Sequence, residues 1–175
     1  DGTGRYVGMS ADSRNALRKF FGLRKTEAPV EVGEGLMVTG PIPRLTEFED
    51  TGGSFFNDME CLQPDDLADD QAAFFETSSG TVVILGCAHA GIVNTLSYIA
   101  KLTGNRPIHT VIGGTHLVTA NKNRMKKTVE ALRAFDIQQL FPLHCTGFQA
   151  AAHLWKEFPG RVWSCPVGTK VELLA

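Results

Sequence analysis

Apolar and polar positions follow one rhythm in the second part of the chain and almost none in the first. From residue 71 onward, short apolar runs take turns with stretches whose apolar residues recur every three or four positions. Ala72–Glu76 and Thr81–Leu85 predict two strands joined by a Thr77-Ser78-Ser79-Gly80 turn. Ile92–Leu102 predicts a helix closed by Gly104, and Ile108–Ile112 a strand. Arg124–Phe135 predicts a helix with Met125, Val129, Leu132 and Phe135 on one stripe. Gln139–Leu143 follows as a strand, Phe148–Phe158 as a helix, and Val162–Ser164 with Lys170–Leu173 as a small strand pair around Gly168. Strands as continuously apolar as Val82-Val83-Ile84-Leu85, alternating with helices, argue for an α/β layer that buries both faces of its central strands.

The first seventy residues are less regular. Ser10–Phe21 carries apolar residues at Ala11, Ala16, Leu17, Phe20 and Phe21, which predicts an amphipathic helix capped by Ser10 or Asp12 and ended at Gly22. Short extended pieces follow at Val30–Val32 and Leu36–Thr39, and Pro41 and Pro43 exclude a helix beyond them. Thr51–Asp70, rich in Gly, Asn, Asp and Pro, predicts a long loop of the kind that is usually functional or partly mobile. The expected organisation is one incomplete domain over 1–175, with an irregular connecting region at 1–70 and a regular strand–helix half at 71–175.

Composition narrows the classes of function. With 43% hydrophobic residues the chain can bury a core, which excludes disorder. Its 17 basic and 19 acidic side chains leave a net charge of −2, unlike a nucleic-acid-binding protein. No apolar run approaches the length of a membrane span. The four cysteines, Cys61, Cys87, Cys145 and Cys165, show no pairing pattern, and two stand near a histidine. Such thiols point to a reducing, cytoplasmic compartment.

The histidines carry the chemistry. His89 follows the strand ending at Leu85, His116 follows the one ending at Ile112, and His144 follows the one ending at Leu143. In an open α/β sheet the loops at the carboxyl ends of the strands share one edge, where ligands bind. Three imidazoles delivered there suit a shared metal site, although a single loop histidine is more often plain polar surface. His109 within a strand and His153 on a helix read as structural. Cys87 and Cys145 read either as soft metal ligands or as small buried residues, the second being the commoner case.

The segment Val82-Val-Ile-Leu-Gly-Cys-Ala-His-Ala-Gly-Ile-Val-Asn-Thr-Leu96 resembles the third metal motif of metallo-β-lactamase-fold hydrolases. More narrowly it is similar to the subgroup of 7,8-dihydropterin-6-methyl-4-(β-D-ribofuranosyl)aminobenzene-5′-phosphate synthase-like proteins. Thr39-Gly-Pro-Ile-Pro-Arg44 with Phe48-Glu49, Asp69-Asp-Gln-Ala72 and the two later histidine motifs fit the same subgroup. The resemblance implies an αββα sandwich with a dinuclear site at one edge of its sheets. It makes His89 a ligand of the first metal and His144 a ligand of the second, with zinc the foremost ion and manganese or iron as alternatives. His116 stands two residues beyond Gly113-Gly114, where most members place a bridging aspartate, so it is a weaker metal candidate or a hydrogen-bond donor to substrate.

One part of the family pattern is missing. The motif His-x-His-x-Asp-His, which supplies half of the ligands, has no counterpart, and the chain starts at Asp1 rather than Met. The expectation is a C-terminal portion whose N-terminal half lies upstream. Such a portion would bind metal weakly, turn over little and expose apolar sheet surface. Intact, it would be a metal-dependent hydrolase or related transferase acting on a small, phosphorylated molecule. A metal-free relative serving as a binding or interaction module is the other reading. Asp69, Asp70 and Gln71 are candidates to support the histidines, or form a polar turn. Lys122 and Arg124, at the start of a helix, and Arg44 are candidates for holding a substrate phosphate, or belong to solvated surfaces.

Overall fold

The structure is a computed structural model, and it describes residues 4–173. Six strands form one sheet in sequence order: β1 (Val30–Gly33), β2 (Leu36–Val38), β3 (Ala72–Thr77), β4 (Gly80–Leu85), β5 (Ile108–Gly114) and β6 (Gln139–Leu143). The first four strands pair antiparallel, whereas β4, β5 and β6 run parallel. β3 and β4 are joined through Ser78-Ser79, and Thr77 pairs with Gly80 as the turn composition requires. Parallel neighbours need crossovers, and the two between β4, β5 and β6 are α2 (Ile92–Leu102) and α3 (Lys122–Ala134). After β6 come a 3-10 turn at His144–Thr146 and α4 (Phe148–Glu157).

Alternation along the strands decides which face meets the helices. Phe74, Val83, Leu85, Val111 and Leu140 share one core with Ile92, Leu96 and Ile99 of α2, Val129 and Leu132 of α3, and Leu154 of α4. The alternate positions form the opposite face, where Ala73, Ile84, Ile112 and Phe141 lie side by side in register. Ile84, in the middle of that row, is 41% exposed, although its strand is otherwise buried. Within that row Ile84 alone is exposed: Phe141 is buried, and Ala73 and Ile112 are half-buried. The described residues thus supply one sheet and one helical layer.

Most element boundaries fall within two residues of the sequence reading, and the exceptions are informative. The helix α1 (Ala11–Lys19) forms, with the Ser10 side chain accepting from the Ser13 N–H, but none of its residues is buried. The C-terminal strand pair does not form. Val162 makes a single parallel bridge to Leu140, with Trp163 N–H donating to the Leu140 carbonyl at 2.9 Å, and Lys170–Leu173 is not a strand. The free edge of β6 captures Val162, and Pro166 with the turn closed by Thr169 carries the remaining chain away.

Candidate active site at the parallel strand ends

Because β4, β5 and β6 are parallel, the loops after them leave the same sheet edge, and each brings one histidine. These loops are stitched together. Gly114 N–H donates to the Gly86 carbonyl at 3.0 Å, and the Thr115 hydroxyl meets the Thr146 hydroxyl at 2.9 Å. His116 N–H donates to Cys145 Sγ at 3.3 Å. Ala88, His116 and His144 all have left-handed backbones (φ 53°, 44° and 48°). Three non-glycine residues in that region at one edge mark a site whose surroundings hold the chain in disfavoured conformations.

The imidazoles of His89 and His116 lie 4.2 Å apart between ring centres, tilted by 43°, with Phe55 edge-on to both. Both present Nδ1 to the segment Thr51–Gly52. His89 Nδ1 is 2.8 Å from the Thr51 carbonyl, an acceptor, so Nδ1 carries the proton and Nε2 keeps its lone pair. Gly52, at φ 79°, packs against the other ring, and a Cβ there would lie 2.1 Å from His116 Nδ1. That nitrogen is buried without a hydrogen-bond partner. Burial foremost, then the neighbouring His89, Arg124 and His144, holds the His116 imidazole below its ordinary pKa.

Long-range contacts fix the segment under the rings. Glu49 accepts from Val93 N–H (2.9 Å) and Asn94 N–H (2.8 Å), capping α2, whose own N-cap Gly91 offers no side chain. Asn94 returns the contact through Oδ1, which accepts from Leu45 and Thr46. Asp50 pairs with Arg124 and accepts from Gly52 N–H at 2.7 Å, and the Thr119 hydroxyl donates to the Gly52 carbonyl. Asp70 accepts from Ala90 N–H at 2.8 Å and so steadies the His89 loop from behind.

His144 makes no ring contact with the other two imidazoles among the described residues. It is exposed and lines a groove of about 320 Å³ with Trp155, Trp163 and Cys165. Its donor atoms group with Cys87 Sγ and Cys145 Sγ, all within 4.8 Å of one another. The three anion candidates are dispersed. Arg124 is buried with its Nη1 paired to Asp50, while its Nε and Nη2 lack partners. Lys122 is exposed along a different groove, between α3 and α4, and Arg44 donates to the Asp66 carbonyl at 2.5 Å. The N-terminus of α3 is closed by Asn121, whose side chain accepts from Arg124 N–H. His109 meets the Thr110 hydroxyl within its strand, as a structural histidine should.

Sequence reasoning missed Asp50, Thr51 and Gly52, and noticed Glu49 only through the resemblance. An acid–acid–Thr–Gly–Gly run inside a long polar loop reads as a turn, and its one distinguishing signal is the paired glycines at 52–53.

In the crystal structure of Tm1679, a metal-dependent hydrolase of the β-lactamase superfamily, the same architecture recurs, with a TM-score of 0.81 and 32% identity over 94% of this chain and 63% of that one. The chain has the metallo-β-lactamase fold. Protein MJ0448 of Methanocaldococcus jannaschii is 31% identical over 155 residues, 86% of this chain and 55% of that protein. The 7,8-dihydropterin-6-methyl-4-(β-D-ribofuranosyl)-aminobenzene-5′-phosphate synthase of the same organism is 33% identical over 94 residues, covering 54% of this chain and 32% of the synthase. These likenesses support the subgroup that the motifs resemble, among hydrolases and related enzymes of this superfamily. The chain spans about half or less of the length of these curated relatives. No family model matches it.

The fold implies metal, and the imidazoles fit one in two respects. His89 is held in the tautomer that frees Nε2, and His116 has a buried ring nitrogen with no protein partner beside a position kept clear of any Cβ. Three carboxylates of these loops hold other partners: Glu49 at α2, Asp50 at Arg124, and Asp70 at Ala90. Among the described residues, no helix is long and apolar enough to cross a membrane.

Proposed function

We propose that this metallo-β-lactamase-fold chain is the C-terminal portion of a metal-dependent hydrolase or related transferase acting on a small, phosphorylated substrate in the cytoplasm. The observation that carries this reading is the pair of adjacent imidazoles over Thr51–Gly52, one in the ligand tautomer and one with a buried nitrogen that has no partner. His89, His116 and His144 are the donors this chain brings to two divalent ions, zinc foremost, in the intact enzyme. Bound there, such ions supply Lewis acidity and an activated water near neutral pH. The chain's own residues position those donors. The Thr51 carbonyl orients His89, Gly52 makes room at His116, and Asp50 anchors the segment to Arg124. Arg124, buried and with two guanidinium nitrogens lacking partners, is the inner anion candidate, with Lys122 and Arg44 as outer candidates. The free thiols Cys61, Cys87, Cys145 and Cys165 suit a reducing compartment.

The test is calorimetric titration of the chain with Zn(II) or Mn(II), beside His89→Ala and His116→Ala. Weak binding is expected, reduced at least about tenfold in each variant, since loss of even an indirect support costs that much. Affinity unchanged in both variants would remove the ligand assignment.

A further inference from the structure

We infer that Cys87, His144 and Cys145 form a second, thiophilic metal site, distinct in chemistry from the imidazole pair and sharing the sheet edge with it. The three donors come from two loops, after β4 and after β6, and their ligand atoms all lie within 4.8 Å of one another. A tetrahedral ion with metal–sulfur bonds of about 2.3 Å and metal–nitrogen bonds of about 2.0 Å places its donors roughly 3.5–3.8 Å apart, so about an ångström of closing suffices.

The surroundings hold the two sulfurs in place. Cys145 Sγ accepts from His116 N–H at 3.3 Å and lies 3.6 Å from the Cys87 carbonyl, which ties one cysteine to the loop of the other. Gly114 clears the space, since a Cβ there would sit 2.6 Å from Cys145 Sγ. Both cysteines are half-buried, and the exposed His144 leaves a solvent path for an ion. Neither the imidazole chemistry nor the helical core uses these thiols.

Two thiolates and one imidazole form a soft donor set, suited to zinc(II) or copper(I) and unsuited to magnesium, calcium or manganese. Three protein donors leave a fourth position open. Because His144 is also a proposed donor of the hydrolytic set, one imidazole serves two alternative sites. A soft ion on the thiols occupies the imidazole that the hydrolytic set needs. Thiophilic ions are therefore expected to antagonise harder divalent ions at this edge.

The probe is Cd(II), added to the chain under a phosphine reductant and followed by sulfur-to-cadmium charge-transfer absorption in the ultraviolet. One equivalent is expected to saturate the signal. Cys87→Ser and Cys145→Ser should each weaken binding at least about tenfold. Cys61→Ser, Cys165→Ser and His89→Ala should leave it unchanged, the last separating this site from the hydrolytic reading. Alkylation mapping by mass spectrometry needs no variant. Cd(II) should protect Cys87 and Cys145 and spare neither Cys61 nor Cys165. Absence of the charge-transfer signal, its persistence in both Cys87→Ser and Cys145→Ser, or equal alkylation of all four cysteines with Cd(II) present would overturn the proposal.

Discussion

Two helices of this molecule carry apolar residues at helical spacing, a sparse stripe in α1 and a dense one in α2, and they end in opposite situations. Six of the eleven residues of α2 are buried and none of the nine in α1 is. Leu96 and Ile99 are fully buried against β4 and β5, while Leu17, Phe20 and Phe21 of the first helix or its end remain in solvent. The denser apolar stripe of α2 and the sheet that faces it set the two apart; local capping does not. α1 has the better local cap, from Ser10, whereas α2 begins at Gly91 and takes its cap from Glu49, more than forty residues earlier. An apolar stripe makes burial favourable; a partner surface makes it happen.

Three substitutions bear on that comparison. The largest effect is expected for Leu96→Ala, which should cost about 2–5 kcal/mol by opening a cavity in a site with no solvent access. Urea unfolding followed by far-ultraviolet circular dichroism measures it.

Next comes Glu49→Ala, which leaves the Val93 and Asn94 N–H groups without their acceptor, at about 1–3 kcal/mol. This loss depends on pH. Burial, the leading influence, raises the Glu49 carboxyl above its ordinary range, against the opposing hydrogen bonds from Val93, Asn94 and Thr46 and the charge of Arg124. The native state therefore binds this proton more tightly than the unfolded chain does. Its contribution is fullest below the unfolded carboxyl's pKa and shrinks as pH rises toward the native one. Unfolding curves from mildly acidic to neutral pH should show wild type and Glu49→Ala converging, and a constant gap would contradict the buried-cap account.

The smallest effect belongs to Leu17→Ala in α1, expected within about 0.5 kcal/mol. A loss above 2 kcal/mol in the same assay would mean that α1 is packed in solution, and the contrast between the two helices would collapse.

The regular half of the molecule was readable in advance because its signals are local. Val82–Leu85, Ile92–Leu102 and Gln139–Leu143 fall where the two-residue and 3.6-residue periods place them. The histidine positions at three strand ends were equally visible, since Gly-rich turns after apolar runs fix them along the chain. The strand pair expected at Val162–Ser164 and Lys170–Leu173 was not recoverable, because the open edge of β6 competes for Val162 and sequence does not rank such partners. Arg124 shows the same limit at the site. A basic residue at a helix start reads as solvent-facing, and only packing shows it buried with Asp50.

By itself, the sequence determined the order of strands and helices and which edge of the sheet receives His89, His116 and His144. Tertiary structure alone decided what those histidines face. The contact from His89 to Thr51 spans 38 residues, and that from Cys145 to Cys87 spans 58. Periodicity reports neighbours a turn or a pleat away. Contacts across such separations depend on how the finished sheet and its loops share space, and no local pattern encodes that.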